Sequence, residues 1–77
     1  MEFSLWVNIQ IKRFQTELSN ICRTSRDYNY YRNKFVDYCV DCINEYDVRY
    51  ELESILKRDI VSKHISLLSE MKMYQYM

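Results

Sequence analysis

The chain of 77 residues contains no glycine and no proline. It therefore lacks the two residues that normally punctuate turns. Breaks must fall where Ser, Thr, Asn and Asp gather, and two places qualify: Thr24-Ser25-Arg26-Asp27 and Asn44-Glu45-Tyr46-Asp47. Two breaks leave three helices. A run of about eighteen apolar residues is also missing, which excludes an expected transmembrane helix. Eleven basic and eleven acidic side chains cancel, so no electrostatic nucleic-acid binder is expected. The three cysteines are an odd number, and the opening Met-Glu-Phe-Ser-Leu-Trp is acidic where a secretory leader would be basic. No disulfide framework is expected, and a reducing compartment fits better. Residues 1–11 hold no Arg or Lys, so no Arg-rich organelle presequence is visible. Internal or uncleaved signals would not show in this way.

What is present is a short, apolar and unusually aromatic chain. Its length predicts one domain with a marginal core. Small domains usually add disulfides, a metal or a partner. With 48% hydrophobic and 16% aromatic residues, more rings exist than so small a core hides, and a partner surface is expected.

The predicted fold is all-α, an antiparallel up-down-up three-helix bundle over residues 1–77, with helices at about 3–23, 28–45 and 48–73. In the first, Phe3, Val7, Ile11, Phe14, Leu18 and Ile21 recur every three or four residues, the period of one buried helical face. Leu5, Trp6 and Ile9 lie off this stripe. They read either as a wider core face or as a docking patch, since Trp is enriched among interface anchors. Asp27 is the expected N-cap of the second helix. Its stripe is Tyr31, Phe35, Tyr38, Cys42 and Tyr46, flanked by Val36, Cys39 and Ile43. Its polar seam is Asn33, Asp37, Asp41 and Asn44. Asp47 is the expected cap of the third helix, where Leu52, Leu56, Ile60, Leu67 and Met71 keep the period beside Val48, Ile55 and Leu68. At roughly 1.5 Å per residue that helix would reach about 40 Å, more than a compact bundle of this size needs.

Candidate chemistry is sparse. Cys39-Val40-Asp41-Cys42 is a CxxC that places two thiols side by side on a helix. With Cys22 and His64 it offers one possible three-Cys, one-His tetrahedral zinc set. Buried apolar cysteines are the commoner outcome. A redox CxxC usually sits at a helix N-terminus in a βαβ context, which this chain lacks. His64, between Ile60 and Leu67, reads as a partly buried structural histidine. No Gly-rich phosphate loop and no paired carboxylates appear. No enzyme is read here.

One segment resembles a known family. Tyr28-Asn29-Tyr30 followed by Tyr31-Arg32 is similar to the Tyr-Asn-Tyr/Phe-Arg element of the LYR-motif family of small mitochondrial three-helix proteins, in particular its cysteine desulfurase accessory subunits. Ile43 falls where the family's second helix reaches a Phe. Lys57-Arg58-Asp59-Ile60 resembles the family's Lys-Arg/Asn-Asp-Leu, and Glu70-Met71-Lys72-Met73-Tyr74 its Gln-Leu/Met-Tyr ending. Ile11-Lys12-Arg13 is the stand-in for Leu-Tyr-Arg, with about one extra helical turn before Tyr28. Asp37 and Asp41 make the second helix more acidic than the family's.

The resemblance implies a non-catalytic adaptor for iron–sulfur cluster assembly. Its expected partners are a cysteine desulfurase and an acyl carrier protein, in a mitochondrion or mitochondrion-derived organelle. No cofactor of its own is implied. The carrier's acyl-phosphopantetheine would enter a core of Ile11, Phe14, Leu18, Phe35, Cys39, Ile43, Leu56 and Ile60. Lys12, Arg13 and Arg32 would meet the carrier's acidic groups, and Leu5, Trp6 and Ile9 the desulfurase. The alternatives are another LYR-type respiratory-complex assembly factor, a small Cys/His metal-binding helical protein, or a viral or parasite helical interaction protein that matches by chance.

Overall fold

A computed structural model describes residues 1–75. Three helices run along the chain: α1 Phe3–Ile21, α2 Ser25–Val48 and α3 Glu53–Gln75, with a short 3-10 turn Tyr50–Leu52 before the last. No strand occurs among the described residues. Both connections are built without the left-handed conformations that favour glycine. Cys22 (φ −70°, ψ 132°) and Thr24 (φ −127°, ψ 151°) are extended, and Arg49 turns the chain at φ −137°, ψ 74°. A chain without glycine can adopt all three.

The first break falls where the sequence predicts, but the cap differs. Thr24 is the N-cap of α2, and its hydroxyl oxygen accepts from the Asp27 backbone N–H at 3.1 Å. Asp27 sits within the first turn, where its carboxylate faces the positive end of the helix dipole. Thr capping draws Ser25, Arg26 and Asp27 into the helix, so α2 starts three residues earlier than expected.

The second break is displaced. Asn44, Glu45 and Asp47 do not end α2, which continues to Val48. Tyr46 stacks on Phe3 at 4.5 Å between centroids, and this burial outweighs the weak local preference of Asn and Asp for turns. Asp47 therefore lies inside α2 and caps nothing. The third helix begins at Glu53, later than expected, and Glu53 pairs with Lys57 one turn on at 3.4 Å.

The core follows the stripes. Phe3, Val7, Phe14 and Leu18 from α1, Tyr31, Phe35, Cys39 and Cys42 from α2, and Leu56, Ile60, Leu67, Leu68 and Met71 from α3 are buried together. Ile11 and Ile21 are half-buried at its edge, with Tyr38, Ile43 and Tyr46. Val48 and Ile55, expected beside the third stripe, are exposed. Contacts fix which levels meet. Phe14 lies on Phe35, Cys22 donates its thiol to Met71 Sδ at 3.1 Å, and Lys57 Nζ sits 5.4 Å from the centre of the Trp6 ring.

Candidate interaction surfaces

The reactive side chains are placed as structural parts. His64 Nε2 lies 3.5 Å from Glu17 Oε2, and its ring meets Phe14 and Phe35 edge-on at 5.2 and 5.7 Å. It wedges α3 against the aromatic centre of the bundle. Cys39 is fully buried, and burial, helped by Cys42, pushes its thiol up to about 12. Burial also raises Cys42, with Asp59 adding to it. Such thiols stay neutral and are poor nucleophiles. Cys22 contacts Met71 at the far end of α1, while His64 contacts Glu17 and the rings. Among the described residues no group of three or more His, Cys, Asp or Glu is placed to hold a metal ion.

The basic residues singled out from the sequence divide between two helices. Lys12 and Arg13 are exposed on α1 and make no ion pair among the described residues. With Ile9, Thr16 and Glu17 they line a shallow groove of about 380 Å³. Arg13 and Glu17 also line an adjoining groove of about 290 Å³ with Gln10, Val61, His64 and Ile65. Arg32 lies on α2 and donates to Asn33 Oδ1 of its own helix at 3.4 Å. The two grooves thus join Lys12 and Arg13 to Ile9 and to α3, and Arg32 lines neither of them. Val61 and Ile65 are 44% and 60% exposed. Sequence reasoning passed over both, because they sit off the α3 stripe. Their i, i+4 spacing was the available signal.

The apolar patch of α1 is split. Leu5 is 54% exposed. Trp6 is half-buried against the core, 6.3 Å from the Phe3 ring and under the Lys57 ammonium. Ile9 is half-buried on the Lys12 groove. The expectation that all three leave the core side therefore needs correction for Trp6. Its indole is large enough to reach back from the edge of the stripe onto Phe3 and Lys57, in part the wider core face weighed above.

Of the eight residues expected to surround an acyl chain, Phe14, Leu18, Phe35, Cys39, Leu56 and Ile60 are buried, and Ile11 and Ile43 are half-buried at the rim. Phe14 and Phe35 stack at 4.3 Å. They fill the centre of this set, so a guest chain has to separate these rings.

Among the described residues no helix is long and apolar enough to cross a membrane. Comparison with known proteins adds no relative: no family model, no curated protein and no solved structure matches this chain.

Proposed function

We propose that this chain is a non-catalytic, LYR-type adaptor. It binds a cysteine desulfurase and an acyl carrier protein in a mitochondrion or mitochondrion-derived organelle and serves iron–sulfur cluster assembly. The observation that carries the reading is the Tyr28-Asn29-Tyr30-Tyr31-Arg32 element, in the opening turns of a second helix that follows a short linker from the first. An up-down-up course of the three helices belongs to the same reading. The pairing of Phe3 with Tyr46, Phe14 with Phe35 and Cys22 with Met71 supports it.

Two surface features favour an adaptor. Lys12 and Arg13 stand exposed beside an apolar groove, suited to carboxylates carried next to apolar side chains. Leu5, Val61 and Ile65 add apolar surface that the bundle leaves uncovered. A small bundle gains stability from any ligand that binds only its folded form, and each methylene of an inserted alkyl chain adds about 0.8 kcal/mol of burial. The experiment is a binding titration of the carrier against Arg13→Ala and Arg32→Ala. Both are expected to weaken the complex and to flatten its salt dependence, because a screened contact has been removed. Unchanged affinity in both would remove the carrier from these residues.

A further inference from the structure

The grooves between α1 and α3 and the outer face of α2 carry opposite charge. Lys12 and Arg13 line the grooves, and Ile9, Val61 and Ile65 give them apolar walls. The one acid in their lining, Glu17, is turned to His64 Nε2 at 3.5 Å. Helical spacing sets Arg58 and Lys72 in line with Val61 and Ile65 on α3, and both are exposed. Of these four cations, Arg58 alone forms an ion pair among the described residues, with its neighbour Asp59 at 3.9 Å. The second helix is the reverse. From Phe35 to Val48 it holds the acids Asp37, Asp41, Glu45 and Asp47 and no Lys or Arg. All of these acids are exposed, and none forms an ion pair among the described residues. Asp37, Val40, Asp41, Asn44 and Val48 share one outward face by their spacing, and both valines are exposed. That face points away from α1 and α3, because Tyr31, Phe35, Cys39 and Cys42 on the other side of α2 enter the shared core. The basic groove and the acidic face of one chain therefore cannot meet each other.

We propose that the groove between α1 and α3 binds the outer face of α2 from a second copy of this chain. Asp37 and Asp41, one helical turn apart, meet Lys12 and Arg13, and Val40 covers the apolar walls. Charge complementarity selects this occupant: the same chain carries both halves of the contact, and its net charge of zero leaves no overall repulsion between copies. Opposed potentials also fix the register of such a contact. Groove against groove would instead bring Lys12 and Arg13 of two copies together. Because the two faces differ and lie on opposite sides of the bundle, the contact is head-to-tail. Each added copy leaves one groove and one acidic face free, so assembly continues into rows. This goes beyond the adaptor reading and needs no carrier protein, although a carrier on Lys12 and Arg13 would compete for the same groove.

The test is analytical ultracentrifugation of the full chain in the cold, with no partner protein, over a range of chain concentrations at low and high salt. The mean mass is expected to rise with concentration past that of a dimer, and high salt to lower it. Two double variants follow, Lys12→Glu with Arg13→Glu and Asp37→Lys with Asp41→Lys. All four positions are exposed, and circular dichroism checks the helices. Each variant alone sets like charges against each other and should associate at least about tenfold more weakly. An equal mixture of the two restores opposite charges at both contacts and should recover the wild-type mass. Val40→Ser, also at an exposed position, should weaken association without any change of charge. A wild-type chain that stays monomeric, growth that stops at a dimer, variants that associate as strongly as the wild type, or a mixture of helical variants that does not recover would each overturn the proposal. The carrier is absent from every arm, so these outcomes leave the adaptor reading to its own test.

Discussion

Phe14 and Phe35 stack at 4.3 Å between centroids with their planes 29° apart, and this pair joins α1 to α2 at the centre of the bundle. Neither ring is exposed. His64 closes the pair from α3. Removing one ring leaves a cavity that the other two helices cannot fill without moving. Phe35→Ala is expected to cost about 3–5 kcal/mol, comparable with the whole stability of so small a domain. Chemical denaturation measures it. A loss below about 1 kcal/mol would show that the site collapses freely.

The cap of α2 gives a second prediction. Thr24→Ala removes the acceptor for the Asp27 N–H and should cost about 1 kcal/mol. Asp27→Asn removes only a charge near the helix dipole and should cost about 0.3–1 kcal/mol, less in high salt. Urea titrations at two salt concentrations separate the two. A loss with Asp27→Ala larger than that with Thr24→Ala, at both salt concentrations, would restore Asp27 as the cap.

Much of the core was legible because its apolar residues keep one helical period. Phe3, Val7, Phe14 and Leu18 are buried as their spacing predicts, as are Leu56, Ile60, Leu67 and Met71. What escaped depends on contacts between helices. The second break is displaced because Tyr46 finds Phe3, forty-three positions away in the chain. Cys39, read as a flank, is more buried than the half-buried Tyr38. A small thiol fits between close helices where a phenol must lie at the edge. Val61 and Ile65 gain meaning only once α1 lies beside them.

Alkaline pH should loosen the fold. The Cys39 thiol ionises near 9.0 when unfolded and at about 12 in the bundle. The folded state therefore keeps a proton that the unfolded chain releases, and stability is full below pH 9.0 and falls as pH rises toward about 12. Tyr31 and Tyr38, also raised chiefly by burial, act in the same direction above pH 10.0. Melting temperature against pH for Cys39→Ala should show lower stability at neutral pH and a shallower alkaline decline. An unchanged alkaline slope would contradict the buried-thiol assignment. The Cys39→Ala, Cys42→Ala double variant is expected to bind partners normally.

Leu5 and Trp6 should separate docking from folding. Trp6→Ala removes packing on Phe3 and under Lys57. It should lower stability by about 1–3 kcal/mol, the usual range for loss of partly buried packing. Leu5→Ala, at an exposed position, should change stability by less than about 0.5 kcal/mol while weakening desulfurase binding. Parallel melts and pull-downs check both. Full desulfurase binding by Leu5→Ala would take Leu5 out of the interface.

The most direct measurement is affinity capture of the tagged chain, co-expressed with a cysteine desulfurase and an acyl carrier protein, followed by intact mass spectrometry. Both partners are expected to be retained, with the carrier bearing an acyl-phosphopantetheine. The chain expressed alone should be poorly stable and melt well below its complex with the carrier. A chain that elutes as a monomer, melts no lower alone than with the carrier, and retains neither partner would contradict the adaptor assignment.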